Sequence, residues 1–334
     1  MVWHSLHLGG KIMRKTLKKL LALGLCATMV GAFTGCGDDS GKDKTYTIGI
    51  CQLVQHDALD AATKGFQDAL KEKLGDNVTF DIQNAQGDSP TCATIVNTFV
   101  SKNVDLILAN ATAPLQAASN ATTDIPILGT SVTDYATALD IDDFSGATGI
   151  NVSGTCDLAP LDKQADLLFE LFPDAKEVGI LYCSAEPNSK FQADNIRKYL
   201  EEKGLTCTDY TFVDSNDIAS VVNGAVATSD VIYIPTDNTA ASNTAVIDSI
   251  ARPKQVPIVA GEAGICKGCG VATLSISYYD IGYKSGEMAY EILVNGKDIS
   301  EMNIEYAPNV TKQYNKEICE ELGITVPDGY EPVN

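Results

Sequence analysis

The chain has 334 residues, 45% hydrophobic and 20% charged, values normal for a folded protein with room for two domains. Its 44 acidic residues against 24 basic ones give a net charge of -20. That balance repels nucleic-acid phosphates and anionic lipid headgroups and leaves nucleic acid out as a partner.

The first 35 residues hold their basic groups in one stretch, Lys11, Arg14, Lys15, Lys18 and Lys19. Translation is expected to start at Met13. An apolar run from Leu20 to Phe33 follows, then Thr34-Gly35-Cys36. The run is short for a membrane span and fits the apolar part of an export signal. Its end resembles a lipobox, in which Cys36 is diacylated on sulfur and becomes the new N-terminus. Residues 1–36 are therefore read as a signal peptide with lipobox. Residues 37–45, small and polar, read as a flexible tether. The expected location is the extracytoplasmic face of the cell membrane, held by lipid.

From residue 46 strands and helices alternate. Tyr46–Cys51 is a short strand, and Ala58–Leu74 carries apolar residues at helical spacing. Val78–Ile82 is a strand. Pro90–Val100 is a helix with Ser89 as its expected N-cap. Val104–Ala109 is apolar on both faces, as a buried parallel strand must be. Pro114–Ala121 and Ile125–Leu128 add a helix and a fourth strand.

The rhythm then restarts, with strands at Thr148–Val152, Val178–Tyr182, Cys207–Val213, Val231–Ile234 and Ile258–Ala260. Helices between them are expected at Leu158–Phe172, Asn188–Lys203, Ile218–Ala227 and Ala240–Ile250. A strand at Ala272–Ile276, a helix at Ile281–Val294, a strand at Ile304–Tyr306 and a helix around Gln313–Leu322 end the chain. The fold class is α/β: two doubly wound parallel-sheet lobes. Residues 46–150 plus 276–308 form the first lobe, and 151–275 plus 309–328 the second. Crossings near Gly149–Ser153, Leu274–Ser277 and Ala307–Val310 make a hinge, and the cleft between lobes is the place for a ligand.

Catalytic and metal signatures are sparse. Of three histidines only His56 follows the signal. No HExxH, GxSxG, GxGxxG or P-loop pattern is present, and neither a metal nor a cofactor is expected. Cys51, Cys183 and Cys207 lie in strands, where a free cysteine packs as a small apolar group. Cys266-Lys267-Gly268-Cys269 is a lone CxxC. Without a second pair it points to a local disulfide or free thiols before zinc.

Several segments together resemble one family. Gln55-His56-Asp57-Ala58-Leu59-Asp60-Ala61-Ala62 resembles its opening motif, and Asn84-Ala85-Gln86-Gly87-Asp88 the end of its second strand. Val104–Ala109 with Thr112-Ala113-Pro114 resembles the third strand, and Pro235-Thr236-Asp237-Asn238-Thr239 a characteristic turn. The family is the ABC transporter substrate-binding proteins of the tryptophan/tyrosine type, with the type I periplasmic-binding-protein fold. Asp57, Tyr135 and Glu262 depart from its usual Pro, Pro and Asp. The resemblance implies capture of an amino-acid ligand, aromatic or apolar, and delivery to an ABC permease and its ATPase. A sensor that signals to a membrane receptor, or an exported α/β enzyme using His56 as its base, are the alternatives.

Ligands of open α/β sheets sit at the carboxyl ends of the strands, so the polar residues after each strand are the binding candidates. They are Gln55 and His56, then Thr112 and the Ala113 amide, then Ser131 and Asp134 in the first lobe. In the second they are Ser184, Glu186 and Asn188, then Asp237 and Asn238, then Glu262. His56 is equally a solvated helix-start residue, and Asp134 and Asn188 are equally helix caps. Hydroxyls and helix-start amides suit a carboxylate. Asp237, with Glu262 second, offers a counter-charge for an ammonium, or else each serves as a turn or cap. Tyr278 and Tyr279 either wall an apolar pocket or pack the hinge.

Overall fold

The computed structural model describes residues 44–333; the signal peptide, Cys36 and all but the last two tether residues lie outside them. The chain runs β1 (Tyr46–Gln52), α1 (Asp57–Leu74), β2 (Val78–Asn84), α2 (Ser89–Lys102), β3 (Leu106–Asn110), α3 (Thr112–Ala121), β4 (Ile127–Val132), α4 (Tyr135–Leu139) and β5 (Val152–Cys156). It continues through α5 (Leu161–Leu171), β6 (Glu177–Cys183), α6 (Pro187–Glu202), β7 (Thr206–Phe212), α7 (Ile218–Val226), β8 (Val231–Ile234), α8 (Asn238–Ala241), α9 (Thr244–Ala251), β9 (Ile258–Ala260), α10 (Ala263–Cys269) and β10 (Ala272–Ser275). The last elements are α11 (Tyr278–Leu293), β11 (Glu305–Tyr306), β12 (Thr311–Tyr314), α12 (Lys316–Leu322) and β13 (Glu331–Pro332).

Two sheets result, ordered β11-β5-β4-β3-β1-β2 and β13-β12-β10-β9-β8-β6-β7. The five central strands of each lobe follow one doubly wound order, and all pair in parallel except β10 with β12. In this order the winding reverses between β1 and β3, and between β6 and β8. Those reversals open a crevice at the strand carboxyl ends. Each sheet is buried on both sides, with Ile48, Ile50, Leu106, Ile107 and Leu108 in the first lobe and Ile180, Leu181, Val231 and Ile232 in the second.

Several boundaries differ from the sequence expectation. The strand expected at Thr148–Val152 is Val152–Cys156, and it pairs with β4 in the first sheet. The first crossing therefore follows Cys156, and the expected division after residue 150 moves by about one strand. Ser153 and Thr155 disguise this strand. They are buried polar residues satisfied by Met302 O and by Thr130 and Ser285 hydroxyls. The expected helix at Gln313–Leu322 begins as the antiparallel strand β12 and turns helical only at Lys316. The helix expected at Ala240–Ile250 is broken in two between Ala241 and Thr244. Asp88, not Ser89, caps α2, its carboxylate accepting the Thr91 N–H at 2.9 Å. Cys266 and Cys269 lie on α10, buried and free.

Helix α11 brings the chain back to the first lobe and packs along α1. Their seam is built of small residues, Ala62, Gly65 and Ala69 against Gly282, Ser285 and Gly286. A Cβ on Gly282 would stand 2.0 Å from Ala62 O, and one on Gly65 2.1 Å from Tyr279 O. At an exposed helical site Gly→Ala gains up to ~1 kcal/mol from propensity. Here backbone blocks the methyl, so Gly282→Ala should instead lose about 1–3 kcal/mol. The change will show as a lower urea midpoint at unchanged slope; an unchanged or raised midpoint would refute the close seam.

Candidate functional site

The carboxyl ends of the two sheets face each other across the three crossings, and the residues there are polar and buried. Thr112, Ser131, Thr133 and Asp157 come from the first lobe and its crossing segment. Asn188, Gln192, Asp237, Asn238 and Glu262 come from the second. Polar contacts span the cleft. His56 Nε2 lies 3.2 Å from Asn238 Oδ1, Gln192 Nε2 donates to Thr133 Oγ1 at 3.3 Å, and Lys267 pairs with Asp57 at 3.2 Å. The last pair is exposed on both sides and is worth at most about 1 kcal/mol.

Local backbone geometry shapes the first-lobe wall. Ala111 precedes α3 with φ +102 and ψ 169, a conformation costly for any residue but glycine, and Ser131 at the end of β4 has φ +56. Three side-chain polar atoms here are buried without a partner, His56 Nδ1, Asn110 Oδ1 and Ser131 Oγ. A buried polar atom left unpaired costs about 1–3 kcal/mol, so each is a place where an added group would be gained.

The sequence candidates divide in two. His56, Thr112, Ser131, Asn188, Asp237, Asn238, Glu262 and Tyr278 come together at the cleft, with Glu186 half-buried at its rim. Gln55 is exposed and bonds only Asp60, Ser184 is exposed and donates to Phe212 O, and Ala113 is half-buried at the start of α3. Asp134 caps α4 through the Thr137 N–H. Asn188 is not the cap of α6, a position held by Glu186. Its side chain instead donates to Glu186 and Thr236 O. Tyr279 turns away from the cleft, its hydroxyl on Asp68 of α1.

The acids of the second lobe also build the fold. Asp237 caps α8 through the Ala240 N–H at 2.7 Å and accepts the Cys183 N–H at 2.6 Å. Burial, then the neighbouring Glu186 carboxylate, push its carboxyl above the usual range. Glu262 caps α10 through the Gly264 and Ile265 N–H groups. Burial raises it, with His56 and those amides pulling the other way. Glu186 clasps the N–H and side-chain donors of Asn238 and Thr239.

Sequence reasoning missed Asp157, Thr133 and Gln192. Asp157 directly follows β5 and Thr133 directly follows β4, so the strand-end rule reaches both once the strand ends are right. Gln192 lies one helical turn after Asn188 and shares its face. Asp157 accepts hydroxyl donors from Thr133 and Tyr278, each at 2.9 Å. Among the described residues no group of three His, Cys, Asp or Glu is arranged to hold a metal ion.

Burial holds the Asp157 carboxyl above its ordinary value of 3.8, against the pull of the Tyr278 and Thr133 hydroxyls. A raised folded value means that the protonated form favours folding. Its contribution is complete below 3.8 and is lost as pH climbs through the folded value. Asp157→Asn should therefore gain stability relative to the parent chain as pH rises from 4 to 7 without ligand. Thermal melts at the two pH values measure this; a gap that closes with rising pH contradicts the burial account.

A family model described as ABC transporter substrate binding protein matches residues 47–330. A tyrosine-binding protein of Clostridioides difficile strain R20291 is 37% identical over 302 residues, 86% of this chain and 87% of that protein. The ABC domain from Streptococcus pneumoniae in complex with L-Trp is 33% identical, with a TM-score of 0.81 over 85% of this chain and 97% of that one. The ligand-free, open structure of a substrate-binding protein with adhesive properties from Clostridium difficile is 38% identical. Its TM-score is 0.67 over 87% of this chain and 99% of its own. The more identical of these two structures thus superimposes less well, as expected when one is open and this chain has its lobes in contact.

Proposed function

This chain belongs to the ABC transporter substrate-binding protein family, and from that premise we propose that it captures a free α-amino acid with an aromatic or apolar side chain between its lobes. The supporting observation is the buried polar wall of the cleft, in which His56 Nδ1 and Ser131 Oγ have no partner. Groups that cannot be solvated and are not bonded internally are complemented by a polar ligand. The Thr112 and Ser131 hydroxyls and the amides opening α3 suit a carboxylate. The buried acids suit an ammonium. The tyrosine-binding relative and the L-Trp complex support the aromatic preference.

Closure follows from a divided shell. The direct contacts between lobes include a few polar bonds and one exposed ion pair, beside packing of α4 on α6 and α1 on α10. A ligand that touches both lobes supplies the differential affinity that closure requires. The captured solute is handed to a membrane permease driven by its ATPase. Members of this family work outside the cytoplasm, and this chain is tethered there by lipid on Cys36.

Isothermal titration with L-tyrosine, L-tryptophan, a nucleoside and a hexose tests the ligand class. Saturable binding of an aromatic amino acid is expected, accompanied by a raised melting temperature; selective binding of the sugar or nucleoside would remove the reading. The anchor has its own test, metabolic labelling with a radioactive fatty acid in the native host. Label should enter the parent chain and be absent from Cys36→Ala, and equal labelling of both excludes Cys36 as the lipid site.

A further inference from the structure

The cleft acids differ in what already occupies their oxygens. Those of Asp237 accept the Ala240 and Cys183 N–H groups, and those of Glu262 the Gly264 and Ile265 N–H groups. Glu186 holds the donors of Asn238 and Thr239. Each has its oxygens engaged by backbone donors at a helix start, a complete role without any ligand.

Asp157 is different. It is 3% exposed and caps no helix. Its two oxygens accept from hydroxyls, Thr133 Oγ1 and Tyr278 Oη. Among the described residues no Lys or Arg is paired with it. A buried carboxylate without a cation is costly unless one arrives.

Its surroundings point the same way. The Asp157 N–H bonds Val132 O at the end of β4, one residue beyond Ser131, whose buried hydroxyl has no partner. His56 carries another of the four buried unpartnered atoms among the described residues, Nδ1. Hydrogen bonds also link Asp157 to the second lobe and to the second crossing. Gln192 of the second lobe donates to Thr133, which donates to Asp157, and Tyr278 opens the helix that follows the second crossing.

We propose that Asp157, on the first crossing segment, receives the ammonium group of the bound amino acid, with the Thr133 and Tyr278 hydroxyls orienting its carboxylate. The assignment rests on the amino-acid reading above. It places charge recognition on the hinge, while Asp237 and Glu262 keep their structural roles as caps.

Isothermal titration of the full chain distinguishes the possibilities, using L-tyrosine and L-tryptophan beside their ammonium-free counterparts, hydroxyphenylpropionate and indolepropionate. Asp157→Asn should weaken the preferred amino acid at least about hundredfold. It should change the affinity of the matching ammonium-free acid less than about threefold, no more than one weak hydrogen bond's worth. Full amino-acid affinity in Asp157→Asn overturns the assignment, and so does equal loss of both ligands. Selective loss in Asp237→Asn with Asp157→Asn unaffected also overturns it. A parent chain that binds no amino acid overturns the ligand reading itself and this assignment with it. Should Asp157→Asn fail to fold, a crystal structure of the parent chain with the amino acid decides. The ligand nitrogen within about 3.2 Å of the Asp157 carboxylate supports the assignment, and a nitrogen bonded elsewhere defeats it.

Discussion

A carboxylate can be buried between two lobes only where donors reach it, and this requirement organises the cleft. Asp237 and Glu262 meet it with helix-start amides, so the acid that faces the cleft also fixes the helix behind it. Asp157 meets it with two hydroxyls, one from the segment after β4 and one from the start of α11. Moving any of these segments without replacing the donors would strand a charge, at a cost of several kcal/mol. The polar wall is therefore held in register by its own electrostatics.

The doubly wound rhythm was legible because it is written in apolar runs. Strands such as Leu106–Asn110 and Val231–Ile234 are buried on both faces, as short apolar runs of a parallel sheet are. The strand Val152–Cys156 was not legible, because two of its five residues, Ser153 and Thr155, are polar. Their partners, Met302 O and the Ser285 hydroxyl, lie about half the chain length away. Local pattern cannot report a polar group that is satisfied from such a distance. The same misplaced strand hid Asp157, which stands one residue past its true end. Asp237 and Glu262 were found because the strands before them, Val231–Ile234 and Ile258–Ala260, were placed correctly, so the strand-end rule reached them.

The seam between α1 and α11 explains how a chain that leaves the first lobe can return to complete it. Gly282 and Gly286 bring their helix against Ala62, Phe66 and Ala69 at backbone contact. Thr155 and Ser285 then join the returning helix to the sheet by a buried hydroxyl bond at 2.9 Å. Shape carries this docking, since apolar side chains of ordinary size would hold the helices some ångströms further apart. A helix so seated sets the starting point of the third crossing, and through it the position of β12 on the second sheet.

Three crossings, after Cys156, Ser275 and Tyr306, carry the chain between sheets. A single strap would let one lobe spin and wander relative to the other. Three straps resist torsion, because twisting must stretch some of them. Under the closure proposed above, the lobes would have few ways to move, and closing would bring Gln192 to Thr133 and Asn238 to His56 without a search over orientations.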